Sequence, residues 1–319
     1  MINHKAHKRF VKDFSLPIQI LQNPYFEYFK NLYDNVYNSN EKYKLFQNTV
    51  NTLGSVEQFF SETKKVMDNI IDEISVLEIY KKFNTDILED YNVKLNIPKQ
   101  DIYNQSNDGR YFLSIDLKKA NYNALKYYDK ELLLNTKNYN EFISKFTDLE
   151  YIKQSKYIRQ VIYGNLNPKK QQKIQLYIVS KILNDVVLKY FNINDLKNVS
   201  YDEIVVLIND LDYVINHNPS IYLDINDYCR QLGIEVNIEL FKLKQFKPYP
   251  YYIKEYYESN KVEFKNTPVV YFAQVYKNYF NMELTNYDLM FYYEGNIAKF
   301  LNKLEFEVWI WVSLMKLNL

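Results

Sequence analysis

The sequence predicts an α+β fold in which a central sheet is backed by helices. Apolar residues recur at helical spacing from about 55 to 83, which indicates a long helix that faces a core. Residues 110–115 form a dense apolar run, typical of a strand that is buried on both faces. A second apolar run, 199–208, is interrupted at Tyr201-Asp202-Glu203 as it would be at the tip of a hairpin.

The other predicted elements alternate between helix and strand along the chain. Asn167 followed by Pro168 favours a helix start, because proline is well suited to the first helical position. Gly233 favours a helix end. The predicted helices are 118–128, about 139–160, 168–191 and 219–232, and the predicted strands are 234–238, which alternates like an edge or half-exposed strand, and 306–312.

Two segments that break regular structure divide the sequence into three regions. Residues 96–110 form a polar loop, after which helical sequence gives way to strand-like sequence, and the proline-containing segment 246–250 marks a second boundary. We therefore expect a helical N-terminal region over 1–104, a sheet-containing domain with short helices over 105–247, and an aromatic-rich, mixed C-terminal region over 248–319.

Composition places the chain among globular proteins and limits its partners. With 40 basic and 39 acidic residues the net charge is +1, so a surface that binds nucleic acid has to be a local groove. The single cysteine, Cys229, excludes an intramolecular disulfide and fits a reducing compartment. No stretch reaches the roughly 18 continuous apolar residues that a membrane span needs. We therefore expect a cytoplasmic protein with no membrane partner.

Acidic residues occur where two of the apolar strands meet a turn. Asp116 ends the first strand, and the pair Asp202-Glu203 lies in the hairpin, 86 residues later. Strand ends that lie side by side would bring these carboxylates together, and hard divalent cations such as Mg²⁺ prefer carboxylate oxygens. Two structural interpretations stay open: Asp116 can cap the following helix, and Asp202-Glu203 can be an ordinary hairpin tip.

Two segments resemble the catalytic motifs in the palm domain of right-hand nucleic-acid polymerases. Asp116-Leu-Lys-Lys-Ala120 is similar to the Asp-Leu-x-x-Ala pattern of reverse transcriptases. The segment 201–206, Tyr-Asp-Glu-Ile-Val-Val, is similar to the reverse-transcriptase Tyr-x-Asp-Asp hairpin and to the His-Asp-Glu-Ile-Val-Val hairpin of family A DNA polymerases. In this chain the hairpin carries Asp-Glu where reverse transcriptases have Asp-Asp.

Two further segments extend the resemblance over roughly residues 105 to 245. The segment 232–242, which begins Leu-Gly-Ile-Glu-Val-Asn and ends at Lys242, resembles the reverse-transcriptase segment Leu-Gly-Leu-x-Val-Asn-x-x-Lys, with its lysine two residues late. The segment from Lys156 to Tyr163-Gly164 resembles the family A fingers helix, which carries basic residues before a Tyr-Gly. The resemblance therefore implies a palm-like antiparallel sheet backed by helices, with short fingers-like helices.

The same resemblance implies a two-metal site for Mg²⁺ or Mn²⁺. Asp116 and Asp202 would bridge the metals, Glu203 would assist or orient, and the backbone carbonyl of Leu117 would complete the ligand shell. Such a site lowers the pKa of an attacking hydroxyl group and stabilises the leaving pyrophosphate.

Fixed cations and packing groups complete the expected site. Lys156 and Arg159 lie one helical turn apart and are the candidates to bind phosphates, with Lys169 next. Lys242 is the candidate to protonate pyrophosphate. Tyr163, Asn121 and Tyr122 are the candidates to pack on the incoming sugar and base. Without the resemblance, Lys156 with Arg159 would be a solvated helix face and Tyr163-Gly164 a helix stop.

The function expected from these residues is metal-dependent nucleotide transfer to a 3′ end, with DNA synthesis ahead of RNA synthesis. The partners would be a nucleic-acid primer and template and nucleoside triphosphates. One alternative is an untemplated or protein-primed nucleotidyltransferase, because the chain is small for a processive polymerase. The other is a non-catalytic helical interaction protein of a phage or virus, which the near-neutral net charge favours.

Overall fold

A six-stranded antiparallel sheet lies at the centre of the fold, in the strand order β2-β3-β1-β4-β5-β6. The structure is a computed structural model that describes residues 3–94, 101–218, 220–257 and 259–307. The strands are β1 (Tyr111–Leu117), β2 (Leu196–Val199), β3 (Glu203–Ile208), β4 (Val236–Gln245), β5 (Tyr252–Tyr256), β6 (Val262–Lys265), β7 (Met290–Tyr293) and β8 (Asn296–Lys299). The last two form a separate hairpin. The predicted α+β class is therefore confirmed; the predicted strand over 306–312 lies mostly outside the described residues.

Helices pack against one face of the sheet and also form most of the chain before it. They are α1 (His4–Asp13), α2 (Tyr25–Leu32), α3 (Asp34–Tyr37), α4 (Ser39–Leu53), α5 (Val56–Ser75), α6 (Glu78–Thr85), α7 (Ala120–Tyr128), α8 (Tyr139–Ser144), α9 (Glu150–Gln154), α10 (Lys156–Gly164), α11 (Pro168–Ile182), α12 (Leu188–Tyr190), α13 (Ser220–Gln231) and α14 (Phe272–Tyr279). Within the described ranges, every helix falls short of the length or the apolarity that crossing a bilayer requires.

Three predicted helices are shorter than their apolar patterns indicate. The helix expected over 55–83 is interrupted after α5, because Leu77 adopts an extended backbone conformation and the chain changes direction before α6. The stretch 139–160 is divided into α8, α9 and α10, and Ser155 is extended at the last break. The helix expected over 168–191 widens into a π-helical turn at 183–187 between α11 and α12.

The two faces of the sheet are different. Because successive side chains of a strand point to opposite faces, Leu113, Ile115 and Leu117 lie on one face of β1, and Phe112, Ser114 and Asp116 lie on the other. The first set packs into the largest core together with apolar residues of α7, α11 and α13. On the second face a smaller cluster, which includes Phe112, gives way to Ser114 and Asp116 towards the end of the strand.

The position of β4 differs from its predicted one. The alternation over 234–238 predicts an edge or half-exposed strand. The edge alternative is wrong, because β4 is ten residues long and pairs with β1 on one side and β5 on the other. The half-exposed alternative agrees with the structure, since Ile234 and Val236 are buried and Glu235 is exposed. Its polar residues near the start, Asn237 and Glu239, point to the second face of the sheet beside Asp116. The sheet also continues through β5 and β6, so it crosses residue 247, where the sequence predicts a boundary.

Candidate nucleotide-binding and catalytic site

The end of β1 brings the two predicted catalytic segments together. Asp116 pairs in register with Glu203 of β3 on one side and with Asn237 of β4 on the other. Beyond it, the backbone N–H of Leu117 donates a 2.8 Å hydrogen bond to the carbonyl oxygen of Asp202. The turn that precedes β3 is therefore fixed directly beside the end of β1.

Ser200 shapes this turn. Its hydroxyl accepts a 3.1 Å hydrogen bond from the backbone N–H of Glu203 and donates a 3.0 Å hydrogen bond to Oδ1 of Asp202. A serine that binds backbone groups two and three residues on is a common way to close a short turn. The sequence thus holds the Asp202 carboxylate near the strand end without help from the helices.

A cavity of about 880 Å³ opens at this strand end. Its lining includes the acidic residues Asp116 and Asp202, and it also includes Lys119, Lys156 and Arg159, which we call the cationic wall. The remaining lining residues are mostly polar. They include Asn121, Tyr122, Asn123, Asn138, Tyr139, Asn140, Gln160, Gln175, Glu235 and Asn237, together with Leu117, Lys118 and Ala120.

The electrostatics around Asp116 are unfavourable for a free carboxylate. Partial burial, followed by the negative charges of Asp202, Glu203 and Glu239, raises the pKa of Asp116 to about 7. The nearby Lys254 lowers it, but by less than the other causes raise it. A carboxylate that is held among like charges at the edge of a cavity is typical of functional sites.

Glu203 differs from Asp116 because it has direct partners. Ser114 donates a 2.6 Å hydrogen bond to its Oε1 atom, and the ammonium nitrogen of Lys254 lies 3.6 Å from the same atom. Lys254 is buried beneath this face of the sheet, with its ammonium group over the ring of Phe241, and burial lowers its pKa. Glu203 is therefore held in place on the second face of the sheet.

The cationic wall is built from α10 and the loop after β1. Lys156 begins α10, whose N-cap Ser155 accepts a 3.0 Å hydrogen bond from the N–H of Ile158. The Arg159 guanidinium and the Lys119 ammonium both lie over the ring of Tyr139, at 5.5 and 4.7 Å from its centroid. Desolvation of the ammonium group and the charge of Arg159 lower the pKa of Lys119.

The structure brings most of the predicted site residues to this cavity. Asp116, Leu117, Asp202, Asn121, Tyr122, Lys156 and Arg159 line it, and Glu203 pairs with Asp116. Tyr122 is buried, and its hydroxyl donates a 3.1 Å hydrogen bond to the backbone oxygen of Thr136. Tyr122 therefore contributes its ring to the cavity. Asn121 accepts a 2.6 Å hydrogen bond from the side-chain amide of Gln175.

Tyr163 and Lys169 lie outside the cavity lining. Tyr163 is fully buried and its ring contacts that of Tyr139, with 6.4 Å between centroids. Tyr122 and Tyr139 are the tyrosines in the cavity lining, and Tyr163 is not part of it. Lys169 is exposed in the first turn of α11, on a part of the helix that does not face the cavity.

Lys242 is placed far from Asp116. It pairs with Tyr111, five residues before Asp116 on β1, which corresponds to roughly 16 Å along the strand. An odd separation also directs it to the opposite face of the sheet, and its ammonium group lies over the ring of Tyr111. The expected role of Lys242 in protonating pyrophosphate at this strand end therefore disagrees with its position.

Several lining residues escaped the sequence reasoning. Lys119 belongs to the Asp-Leu-Lys-Lys-Ala motif, and Asn237 belongs to the segment that resembles a later palm motif. The sequence therefore contained a signal for both residues. Asn140 and Gln175 come from distant elements that only the tertiary fold places here. The same is true of Lys254, which lies outside the lining but contacts Glu203.

The donor set fits a hard divalent cation that is only partly held by protein. The described residues contain no group of three or more His, Cys, Asp or Glu side chains arranged to bind a metal. Mg²⁺, however, is commonly bound through one or two carboxylates, with waters and substrate phosphates as the other ligands. Asp116 and Asp202 supply two carboxylates on one cavity, and a bound cation would offset the repulsion that raises the pKa of Asp116.

No family model, curated protein or solved structure matches this chain. The likeness to polymerase palms therefore stays an interpretation of the residues and their order.

Proposed function

We propose that the chain is a metal-dependent nucleotidyltransferase, and specifically a small DNA polymerase that adds nucleotides to a 3′ end. The observation that supports this most is the composition of one cavity: carboxylates from neighbouring strand ends, Asp116 and Asp202, share it with the cationic wall. A nucleoside triphosphate with its divalent cation has the complementary charge distribution.

The carboxylates would hold the cation. Asp116 and Asp202 would be its protein ligands, with the backbone carbonyl of Leu117 as a further oxygen donor. The bound cation would lower the pKa of the primer hydroxyl and stabilise charge on the phosphates. Glu203 would assist or orient these ligands and would not bind the cation itself. Its contacts with Ser114 and Lys254 hold its carboxylate on β3, beside Asp116.

The cationic wall would bind the triphosphate. Arg159 and Lys119 are oriented over the same aromatic ring, and Lys156 lies at the start of the same helix as Arg159. Cations that are already in position do not have to reorganise as negative charge develops on the leaving group. They would therefore stabilise both the bound nucleotide and the departing pyrophosphate.

The transfer itself is a substitution at phosphorus. The 3′-hydroxyl oxygen forms a bond to the α-phosphorus, the bond from that phosphorus to the bridging oxygen of the β-phosphate breaks, and pyrophosphate leaves with that electron pair. The hydroxyl proton passes to solvent. Asn121, fixed by Gln175, and the buried ring of Tyr122 would contact the incoming sugar and base beside Asp116.

Primer extension tests this proposal. The purified protein is given Mg²⁺ or Mn²⁺, all four deoxynucleotides or ribonucleotides, and a DNA template, an RNA template or none. We expect templated extension by the natural chain and a loss of at least about 100-fold in Asp116→Asn and in Asp202→Asn, since each removes a charged group from the reaction centre. The matched control is Asp227→Asn, an exposed acid on α13 that we expect to keep full activity.

The outcomes separate the candidate functions. Extension that needs no template would favour the untemplated nucleotidyltransferase. Extension that survives both site substitutions would contradict the assigned site. Folded protein that extends no primer under any of these conditions, and that is not stabilised against heat by metal plus nucleotide, would favour the non-catalytic interaction protein.

A further inference from the structure

A second cavity, of about 610 Å³, adjoins the one that contains Asp116. The two cavities share Asn140 and all three residues of the cationic wall. The second cavity adds residues from the N-terminal helices and from α8 and α9. These are Phe14, Lys42, Ser144, Glu150, Lys153 and Gln154.

The second cavity is strongly cationic. Lys42 and Lys153 join the cationic wall around it, whereas Glu150 is its one acidic lining residue, and Glu150 accepts a 2.9 Å hydrogen bond from Gln154. Among the salt bridges of the described residues, none involves Lys153 or a residue of the cationic wall. Because the whole chain is nearly neutral, this local excess of positive charge calls for an anionic ligand.

The aromatic groups of this cavity favour a compact anion over a nucleic-acid strand. Single strands are usually bound by stacking their bases on open aromatic faces. The aromatic residue in the lining of the second cavity is Phe14, and the Lys42 ammonium lies over that ring, at 5.3 Å from its centroid. Two of the shared cations, those of Lys119 and Arg159, lie over the ring of Tyr139, which lines the first cavity. Both rings therefore support cations.

We propose that the second cavity binds inorganic pyrophosphate and carries it away from the reaction centre. This inference rests on the proposed nucleotidyl transfer, which releases pyrophosphate beside the shared cationic wall. The carboxylates of Asp116 and Asp202 repel that product, and the wall connects it to the side that carries Lys42 and Lys153. Lys153 belongs to the second cavity alone, so it separates the two sites experimentally.

Calorimetric titration with sodium pyrophosphate, without divalent metal, measures the binding directly. We expect Lys153→Gln to weaken pyrophosphate binding about five- to tenfold, because it removes one charge-assisted contact. Lys145→Gln is the matched control, since Lys145 is an exposed lysine at the end of α8 that lines neither cavity. Equal affinity in the two variants would overturn the proposal.

An oligodeoxynucleotide as a second ligand and Asp116→Asn as a second variant distinguish pyrophosphate binding from strand binding and from failure of the proposed function. If Lys153→Gln weakens binding of a single-stranded oligodeoxynucleotide and leaves pyrophosphate binding unchanged, the cavity binds a strand and the proposal is wrong. Asp116→Asn, which abolishes extension if the proposed function is correct, should bind pyrophosphate at least as well as the natural chain. Pyrophosphate binding in a protein that never extends a primer would therefore contradict the proposed function alone.

Discussion

Asp116 lies close to two other carboxylates, those of Asp202 and Glu203. Asp202 accepts a hydrogen bond from Ser200, and Glu203 contacts Ser114 and Lys254. Lys254, the nearest compensating cation of the group, lies 3.6 Å from Glu203 and only moderates the pKa of Asp116. Three acidic neighbours and partial burial make the ionised form of Asp116 unfavourable in the metal-free protein. In the proposed function, Asp116 would contribute cation binding at the expense of stability, a trade that is common at functional sites.

The substitution Asp116→Asn should therefore stabilise the metal-free protein while it abolishes extension. A shift of the pKa from 3.8 to about 7 would correspond to ~4 kcal/mol in a fully buried group. Solvent screening at a partly exposed carboxyl reduces this to about 1–2 kcal/mol. We expect the melting temperature at pH 8 in EDTA to rise by roughly 2–5 °C.

The pH dependence of that gain follows from the sign of the shift. A folded-state pKa above the unfolded value means that the folded protein holds the proton more tightly, so the natural chain loses stability as the pH rises from about 4 to about 7. The advantage of Asp116→Asn should grow over this range and then level off. A gain that is equal at pH 4.5 and pH 8, or one that Asp227→Asn also shows, would contradict this account.

Individual residues show what sequence can and cannot assign at this scale. Asp116 and Asp202 are predictable because each lies where an apolar run meets a turn. The site assignment of Lys242 also comes from a motif match, and it disagrees with the structure. Lys242 lies five residues after Asn237 on β4, and an odd separation directs its side chain to the other face of the sheet. Lys119 has a position in the motif but no sequence signal for its ring contact with Tyr139.

At the scale of elements, α1 lines no part of the first cavity but is linked to it through α10. Its last residue, Asp13, is fully buried and accepts hydrogen bonds from Arg9, from the Tyr151 hydroxyl and from the Ser155 hydroxyl, the last two at 2.7 Å. Ser155 is also the N-cap of α10, the helix that carries Lys156 and Arg159. The N-terminal helix therefore fixes the start of the helix that supplies most of the cationic wall.

Replacing Asp13 by alanine should affect both stability and nucleotide binding. The change leaves the Arg9 guanidinium without its carboxylate and two buried hydroxyls without their acceptor, which costs about 3 kcal/mol. Because α10 loses its anchor, we also expect the KM for nucleotide to rise severalfold with a smaller change in kcat. Urea unfolding and steady-state extension measure the two effects.

The control for this substitution is Asp68→Ala. Asp68 also forms a salt bridge with a residue four positions away, Lys64, but both side chains are exposed. A surface pair of this kind contributes less than about 1 kcal/mol. If the two variants lost the same stability, or if Asp13→Ala kept the natural KM, Asp13 would not be the anchor of α10.

Elements are predictable where the local pattern decides them and less so where packing does. The apolar runs of β1 and β3 indicate strands without tertiary information, whereas β2 begins at Leu196, before the predicted run 199–208. The edge position expected for β4 is overturned because β5, which follows a proline-containing segment, returns and pairs along it. The breaks at Leu77 and Ser155 interrupt continuous helical patterns, and the apolar spacing contains no sign of them.

At the scale of the whole molecule, the N-terminal helices and the described residues after 247 share one core. Apolar residues of α1, α2 and α4 pack with residues of β6 and α14, which lie more than 200 residues later. A buried polar group lies beside this core: Asp288 pairs with Lys277 at 2.8 Å and accepts a 2.7 Å hydrogen bond from the hydroxyl of Tyr28. The N-terminal helices are therefore packed against the region after residue 247.

This packing predicts that a fragment ending at residue 247 does not fold on its own. It would lack β5 and β6, expose the backbone groups of β4 along a new sheet edge, and lose the part of the shared core that follows residue 247. We expect the fragment 1–247 to show no cooperative urea transition and to lose near-ultraviolet circular dichroism, and addition of the separate segment 248–319 to restore part of both signals. A fragment 1–247 that unfolds cooperatively, with a slope scaled to its length, would show instead that the sequence-predicted boundary separates an independent domain.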